Sequence, residues 1–572
     1  MNDTSDSDPT VRKAAGTGWR LSRRGFLAST VAAALAACSN DESGSTGNSV
    51  ATPTTPDDAA GTTTPAVTNS TDVTTTTAVP SVITADPFTL GVASGDPLSD
   101  SVILWTRLLA DDPLPDGNID VQWEVATDTE FTDIVASGTA EAVAALAHSV
   151  HVDVGDLDAD TEYFYRFAVG EYRTEPARTR TFASAGVVPD RFTFAFSSCQ
   201  NWEQGYYAAY RDLAEQEPID AFVFLGDYIY EYESGGYSDE RGRSTGQDFE
   251  AMTLDQYRQR YALYKTDRLL QQAHRLTPWV ITWDDHEVEN DYAGASSEND
   301  DEQATFLERR ANAYQAWYEH MPVRLDPPTG PDYDIYRSIA HGDLIRFHVL
   351  DTRQYRSDQQ RLAPFIETLG DAVQVRDEDL AASPEHTMLG TAQRDWLITS
   401  VTESTAIWDV LAQQVFMFGG NAVQGSNPPV VVVDTWDGYA GERRALLEAI
   451  SPVVDNLVVL TGDFHSAAVA DLRADPFDQS LPVIGSELMA SSISSSFFDD
   501  DETVESLVAT ALETNPQIKF FDARRGYVLC EVTPTSWRAT YRAVTDEFDE
   551  NSPVETASTW VITAGTPGVA RA

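Results

Sequence analysis

Positive charge is what this chain has least of: 38 lysines and arginines stand against 91 aspartates and glutamates, leaving a formal charge of −53 across 572 residues. The shortage argues against a nucleic-acid-binding surface, which must neutralise phosphates with Lys and Arg. Such a charge suits solubility and cation-rich surroundings, and it repels anionic ligands unless bound multivalent cations reverse the field locally. Cysteine is nearly missing as well, with only Cys38, Cys199 and Cys530. Cys530 sits inside an apolar strand-like run and Cys199 ends a different one, so no disulfide is expected and Cys530 reads as a buried, inert thiol. Beyond residue 38 no stretch is apolar for long enough to span a membrane. The length alone suggests two to four domains with ample material for a core.

Residues 1–38 read as targeting. Ser22-Arg23-Arg24-Gly25-Phe26-Leu27 resembles a twin-arginine export signal, followed by an Ala/Val/Leu segment too short to cross a bilayer. Leu35-Ala36-Ala37-Cys38 resembles a lipoprotein processing box with Cys38 as the lipidated residue. The bland reading is a helical N-terminus that carries two arginines. Residues 39–85 are Thr, Ser, Pro, Asp and Gly with few large apolar side chains, and read as a flexible tether. The expectation is an exported protein, extracellular or anchored to the cell envelope, touching membrane only through a lipid at Cys38.

Residues 86–185 read as a small all-β domain. Short alternating runs at 88–97, 101–107, 121–126, 149–154 and 162–167, several separated by turn residues such as Asp116-Gly117-Asn118, predict a sandwich of the fibronectin III or immunoglobulin kind. His148 and His151 read there as surface or edge-strand filler. Residues 190–572 read as one α/β catalytic domain organised around 191–232. Two buried-strand patterns, Phe192–Ser198 and Ala221–Leu225, flank a helical pattern at 205–215, which makes a βαβ unit with parallel strands. Both strand ends then open on the sheet edge where such folds bind ligands, bringing Cys199, Asp227 and Tyr230 together.

Two more apolar runs end in ligand-type residues. Trp279–Trp283 leads into Asp284-Asp285-His286-Glu287, and Asn456–Leu460 leads into Thr461-Gly462-Asp463-Phe464-His465. In an extended segment Asp463 and His465, two apart, would face one site. An acidic run is usually a solvated face, yet these carboxylates follow directly on core strands. Leu344–Leu350 is a further strand, ending in Asp351 and Arg353. Arg353 and Arg356 can each grip a phosphate or pair structurally with a carboxylate. A strand at 407–415 carries Gln413 and Gln414, the span 357–390 reads as a loop-rich insertion, and the tail at 527–532 and 537–543 reads as strands closing a second sheet. Thiolate, phenolate, carboxylate and imidazole together are a transition-metal ligand set. Phenolate with thiolate favours trivalent iron over zinc, and surplus carboxylate suits calcium or another hard divalent ion.

Ser197-Ser198-Cys199, Gly226-Asp227-Tyr228-Ile229-Tyr230-Glu231, Trp283-Asp284-Asp285-His286-Glu287 and Thr461-Gly462-Asp463-Phe464-His465, in this order behind a β module, resemble the alkaline phosphatase D (PhoD) family of metallophosphoesterases. The resemblance spans nearly all of 86–572. It implies a four-layer α/β/β/α sandwich with the metal centre between two sheets. It implies Fe(3+) held by Cys199, Asp227, Tyr230 and His465, and Ca(2+) beside it, bridged by Asp227 and held by Asp463 and by Asp284 or Asp285. The wider superfamily has Asn where this chain has Asp285, and a further ligating His near Gln413 and Gln414. The expected reaction is attack of a metal-bound hydroxide on a phosphate mono- or diester, with His286 protonating the leaving alkoxide or orienting the phosphate and Arg353 as the weaker candidate anchor, by a monomer. The alternatives are a phosphodiesterase or phospholipase with little monoesterase activity, and a non-catalytic cell-surface metal-binding protein.

Overall fold

The computed structural model describes residues 83–572 except 217, 240, 300, 360–372 and 497–500. The expected export signal, Cys38 and most of the tether lie outside the described residues. The first strands are β1 (Val92–Gly95), β2 (Val102–Arg107), β3 (Ile119–Ala126), β4 (Ile134–Ala142), β5 (Ser149–Val154), β6 (Glu162–Val169), β7 (Tyr172–Arg173) and β8 (Ala177–Arg180). They form the expected sandwich. One sheet runs β4-β3-β6-β7 with β8 on β6, and the other face is β1-β2-β5. β4 was not anticipated, because its sequence of small and polar residues leaves most of it exposed at an edge.

The βαβ unit forms as read, with β9 (Phe192–Ser197), α1 (Ala208–Glu215) and β10 (Ala221–Phe224), and with β11 (Trp279–Ile281) beside it; neighbouring strands are parallel. Helices α2 (Leu254–Lys265), α3 (Arg268–Leu276) and α4 (Gln303–His320) cover this sheet. α2 begins with a capping box between Thr253 and Gln256, and α3 begins at Asp267, whose carboxylate accepts from Leu269 and Leu270 N–H.

The second sheet draws on β12 (Arg337–His341), β13 (Ile345–Val349), β15 (Trp408–Ala412), β17 (Leu457–Thr461), β18 (Ala467–Leu472), β19 (Gly485–Met489) and β20 (Ile518–Asp522). Its order among the described residues is β12-β13-β15-β17-β19-β18-β20. A short β14 (Val373–Val375) pairs with β16 (Val430–Val432), so the supposed loop insertion carries structure of its own. Helices α5 (Glu378–Ala381), α6 (Gly390–Thr402), α7 (Ala440–Ile450) and α8 (Asp501–Thr514) belong to this half of the chain.

The tail corrects one expectation. β21 (Gly526–Val532), β22 (Ser536–Val544), β23 (Val554–Thr563) and β24 (Thr566–Arg571) extend the first sheet, not the second, by antiparallel pairing of β21 with β9. β10 satisfies only one edge of β9; the other needs a partner for its backbone groups, and the tail supplies it.

The architecture is the expected α/β/β/α sandwich. Between the sheets Phe192, Phe194, Phe196, Val223 and Leu225 meet Phe347, Val410, Val458 and Leu460. Outside the first sheet Tyr210, Tyr261, Leu270 and Trp317 pack over Phe222, Phe224 and Trp279. Outside the second, Leu397, Val401, Leu446 and Leu447 pack over Leu411 and Val459. The period-2 pattern of β9 thus points every second residue, each a Phe, between the sheets. Phe194 stands edge-on to Phe347 at 5.3 Å and Trp537 at 5.4 Å, and truncating it to Ala should cost about 3–5 kcal/mol.

The β module is joined to the catalytic sheet by backbone. Gly95 pairs in parallel with Trp279, so β1-β2-β5 continues the sheet of β9–β11. A Cβ on Gly95 would stand 2.1 Å from the Pro322 carbonyl oxygen, which is why glycine occupies this joint. His151 is also at the joint: its ring stacks on Tyr318 at 4.4 Å and bonds the Met321 carbonyl, and burial pulls its pKa down to about 4. It is interface packing and not surface filler.

Candidate metal centre

The ligand-type residues sit where β9, β10, β11 and β17 stop. The chain turns sharply after β9, β10 and β17: Cys199, Asp227, Asp463 and His465 all have left-handed backbones, with φ of 57°, 57°, 60° and 53°. For residues bearing a Cβ this is uncommon and strained, and such strain gathers at functional sites. Glycines permit the close approach. A Cβ on Gly226 would lie 2.5 Å from Cβ of Asp284, and one on Gly462 would lie 2.4 Å from Oγ of Ser198. Backbone bonds from Cys199 N–H to the Gly226 carbonyl and from Gln200 N–H to the Asp227 carbonyl tie the first two ends together.

The premise that Asp463 and His465 stand on an extended segment does not hold, because the chain bends through 463–466. Their side chains enter two different groups. Cys199, Asp227 and His465 place ligand atoms within 4.8 Å of one another, and so do Asp284, Asp285 and Asp463; Asp227 with Asp285 and His286 makes a third such set. All of these residues are buried. Tyr230 belongs with the first group, its hydroxyl 3.0 Å from both Asp227 Oδ2 and His465 Nε2. Nδ1 of His465 is 2.8 Å from the Ser496 carbonyl, which can only accept, so that nitrogen holds the proton and Nε2 offers its lone pair.

Two neighbours set the frame. The Glu287 carboxylate accepts from the backbone N–H of Asp227, Tyr228 and Asp284 at 3.0, 2.5 and 2.8 Å, which makes it a clamp across two strand ends. Ser495 Oγ donates to the Tyr230 hydroxyl at 2.8 Å.

His286 Nδ1 is 2.8 Å from Glu231 Oε2, and Glu231 also accepts from Asn290 N–H. Burial pulls the His286 pKa down, but Glu231, Asp227 and Asp285 outweigh it and hold the ring well above its ordinary value.

Arg353 is fully buried. Its guanidinium donates to Asp284, to Asp434 at 2.9 Å and to Asp463 at 3.0 Å, and lies 3.5 Å from Asp285. Of its two readings, phosphate anchor or structural pairing, these contacts support the pairing. Arg356 likewise donates to Asp434 at 2.7 Å. Gln414 spends its amide on Thr352, Thr282 and the carbonyls of Trp283 and Leu350, and Gln413 bonds Val415, Thr461 and Trp436. Both glutamines tie strand ends together.

Asp434, Glu231 and the serine loop 491–496 were missed. Asp434 follows an apolar run, Val430–Val433, and so carried the same signal as the others. Glu231 adjoins Tyr230, while the loop acts largely through backbone carbonyls and hydroxyls that no side-chain pattern marks.

The donors fit cations. Four carboxylates (Asp284, Asp285, Asp434, Asp463) crowd a single guanidinium. Asp284 Oδ2 is buried and accepts no hydrogen bond. Burial, together with Asp227, pushes the Cys199 thiol well above its usual range, and burial with like charge does the same to Asp227 and Asp284. A thiolate and this many carboxylates are stable together only around positive charge.

Comparison with known proteins agrees with this geometry. Residues 194–541 match the model of the PhoD-like phosphatase family, and residues 74–183 match that of the PhoD-like phosphatase N-terminal domain. The chain is 43% identical over 483 residues to alkaline phosphatase D of Bacillus subtilis (strain 168), covering 83% of this chain and 80% of that one. It superposes on the solved structure of PhoD with a TM-score of 0.80 at 41% identity, covering 86% of this chain and 93% of the other.

Proposed function

The chain belongs to the PhoD-like phosphatase family and is a metal-dependent phosphoesterase, and we propose that it cleaves phosphate mono- and diesters at the strand-end cluster. The observation that carries this placement is the meeting of two donor groups: Asp227, grouped with Cys199 and His465, has a carboxylate oxygen within 4.8 Å of one on Asp285, which is grouped with Asp284 and Asp463. Two donor sets that meet in this way are what a paired cation site requires.

Cys199, Asp227, Tyr230 and His465 would hold ferric iron, the cation suited to thiolate and phenolate together. Asp284, Asp285 and Asp463 would hold calcium, which favours carboxylate oxygen. Bound there, such cations neutralise phosphate oxygens and acidify a coordinated water. The protein's own contribution is positional. His465 is fixed by the Ser496 carbonyl, Tyr230 by Ser495, and Asp227 with Asp284 by Glu287. His286 keeps Nδ1 on Glu231, which leaves Nε2 to give its proton to the leaving alkoxide. Arg353 holds the carboxylates of the divalent site in register.

Export by the twin-arginine route, a lipid anchor at Cys38 and a monomeric state belong to the same proposal and rest on the sequence. Among the described residues no helix is long and apolar enough to cross a membrane. The reading of a non-catalytic surface protein gives way to the family assignment. Elemental analysis of the native protein with a phosphate-release assay on matched mono- and diesters tests the site. Iron and calcium with turnover that is lost in Asp227→Asn is the expected result; metal-free protein with full turnover would refute it.

A further inference from the structure

The His286 ring lies against three tyrosines. Tyr230 is 4.1 Å away between ring centroids, Tyr232 stands edge-on at 5.5 Å, and Tyr237 is near-parallel at 6.2 Å. Tyr230 is buried and committed to the metal centre, whereas Tyr232 and Tyr237 are partly exposed and touch each other at 5.5 Å. They form an aromatic wall beside the residue assigned to the leaving group.

That wall is held in place. Glu203, four residues past Cys199, accepts from Ser234 Oγ and from the N–H of Gly235 and Thr245, each at 2.8 Å. Asn201 donates to the Tyr237 carbonyl at 3.2 Å, and Ser234 N–H bonds the Gln247 carbonyl. A Cβ on Gly242 would be 1.7 Å from the Glu203 carbonyl oxygen, so the loop lies directly on that turn. Tyrosine faces set this way stack planar rings with little ordering cost.

Building on the reaction proposed above, we propose that Tyr237, backed by Tyr232, is a specificity-determining residue that stacks the leaving group, so that the enzyme favours phosphoesters carrying a planar ring one or two bonds from the scissile oxygen. The ring of such a group would rest on Tyr237 while His286 protonates its oxygen. A small aliphatic alcohol reaches His286 but leaves the wall uncovered.

Steady-state rates on benzyl phosphate and ethyl phosphate, and on their methyl diesters, test this, because both leaving groups are primary alkoxides. Tyr237→Ala should lower kcat/KM on the benzyl esters about ten-fold and leave the ethyl esters within about two-fold, while Tyr237→Phe keeps the benzyl preference. Tyr237→Leu, which retains bulk without a π face, should behave as Tyr237→Ala does. An equal loss on both ester types, or no loss on the benzyl esters, overturns the assignment. Wild-type protein that turns over neither ester would instead refute the proposed reaction itself.

Discussion

The hydroxyl of Tyr230 and Nε2 of His465 lie 3.0 Å apart although 235 residues separate them in the chain. Burial first, and then Asp227, lifts the Tyr230 pKa well above its ordinary value, so without a cation the phenol keeps its proton. A trivalent ion there would displace it. Tyr230→Phe keeps the ring and removes the oxygen. Iron affinity should fall by about 10–100-fold, and hydrolysis with it. Full iron content by elemental analysis alongside full activity would remove Tyr230 from the ligand set.

Glu287 satisfies three buried N–H groups, those of Asp227, Tyr228 and Asp284. Glu287→Ala leaves those donors unpaired and should destabilise the fold by about 3 kcal/mol or more. Denaturant unfolding measures the loss. A change within about 0.5 kcal/mol would mean that the clamp is dispensable.

Lys265 ends α2 beneath the β module with Nζ buried, 4.2 Å from the Trp105 ring centroid and 5.1 Å from that of Tyr228, and without a hydrogen-bond partner. Burial depresses its pKa well below 10.5. A depressed folded-state pKa means stability that is present above the unfolded value and lost as pH falls toward the folded one. At neutral pH the lysine is therefore a liability that the cation–π contacts only partly offset. Lys265→Met should raise stability by about 1–2 kcal/mol at pH 7 with activity unchanged, and the gain should vanish above about pH 10.5. Thermal unfolding across that range checks both halves.

Glu487, on β19, accepts from Met417 N–H and Thr461 Oγ1, while its second oxygen is buried without a partner; burial raises its pKa to about 7. Here the folded pKa lies above the unfolded one, so stability present below about pH 4.5 is lost as pH rises to about 7. Glu487→Gln should flatten that slope, a difference of up to about 3 kcal/mol between the two ends. Parallel slopes for the two proteins would show that Glu487 titrates normally.

Much of the site was readable because buried strands announce themselves as apolar runs and each run stops at a chemically distinct residue. Cys199, Asp227, Asp285 and His465 could be placed at a shared edge on that logic. The division of labour could not. Asp463 and His465 part company because the chain turns left-handed at both. Arg353 proved to be enclosed by acids, a fact set by the approach of four separate segments. The tail's destination was hidden for a related reason: antiparallel strands carry the same alternation whichever sheet they join, and only the vacant edge of β9 decides.

The junction at Gly95 and Trp279 bears on how the molecule can be taken apart. Cutting after residue 185 would uncover the edge of β11 at Trp279, whose carbonyl now accepts from the Asp96 N–H. The catalytic half expressed by itself should therefore pair with whatever strand it meets, including another copy of itself. Unfolding should pass through one transition shared by both regions. Two pieces that look modular along the chain are mechanically a single body.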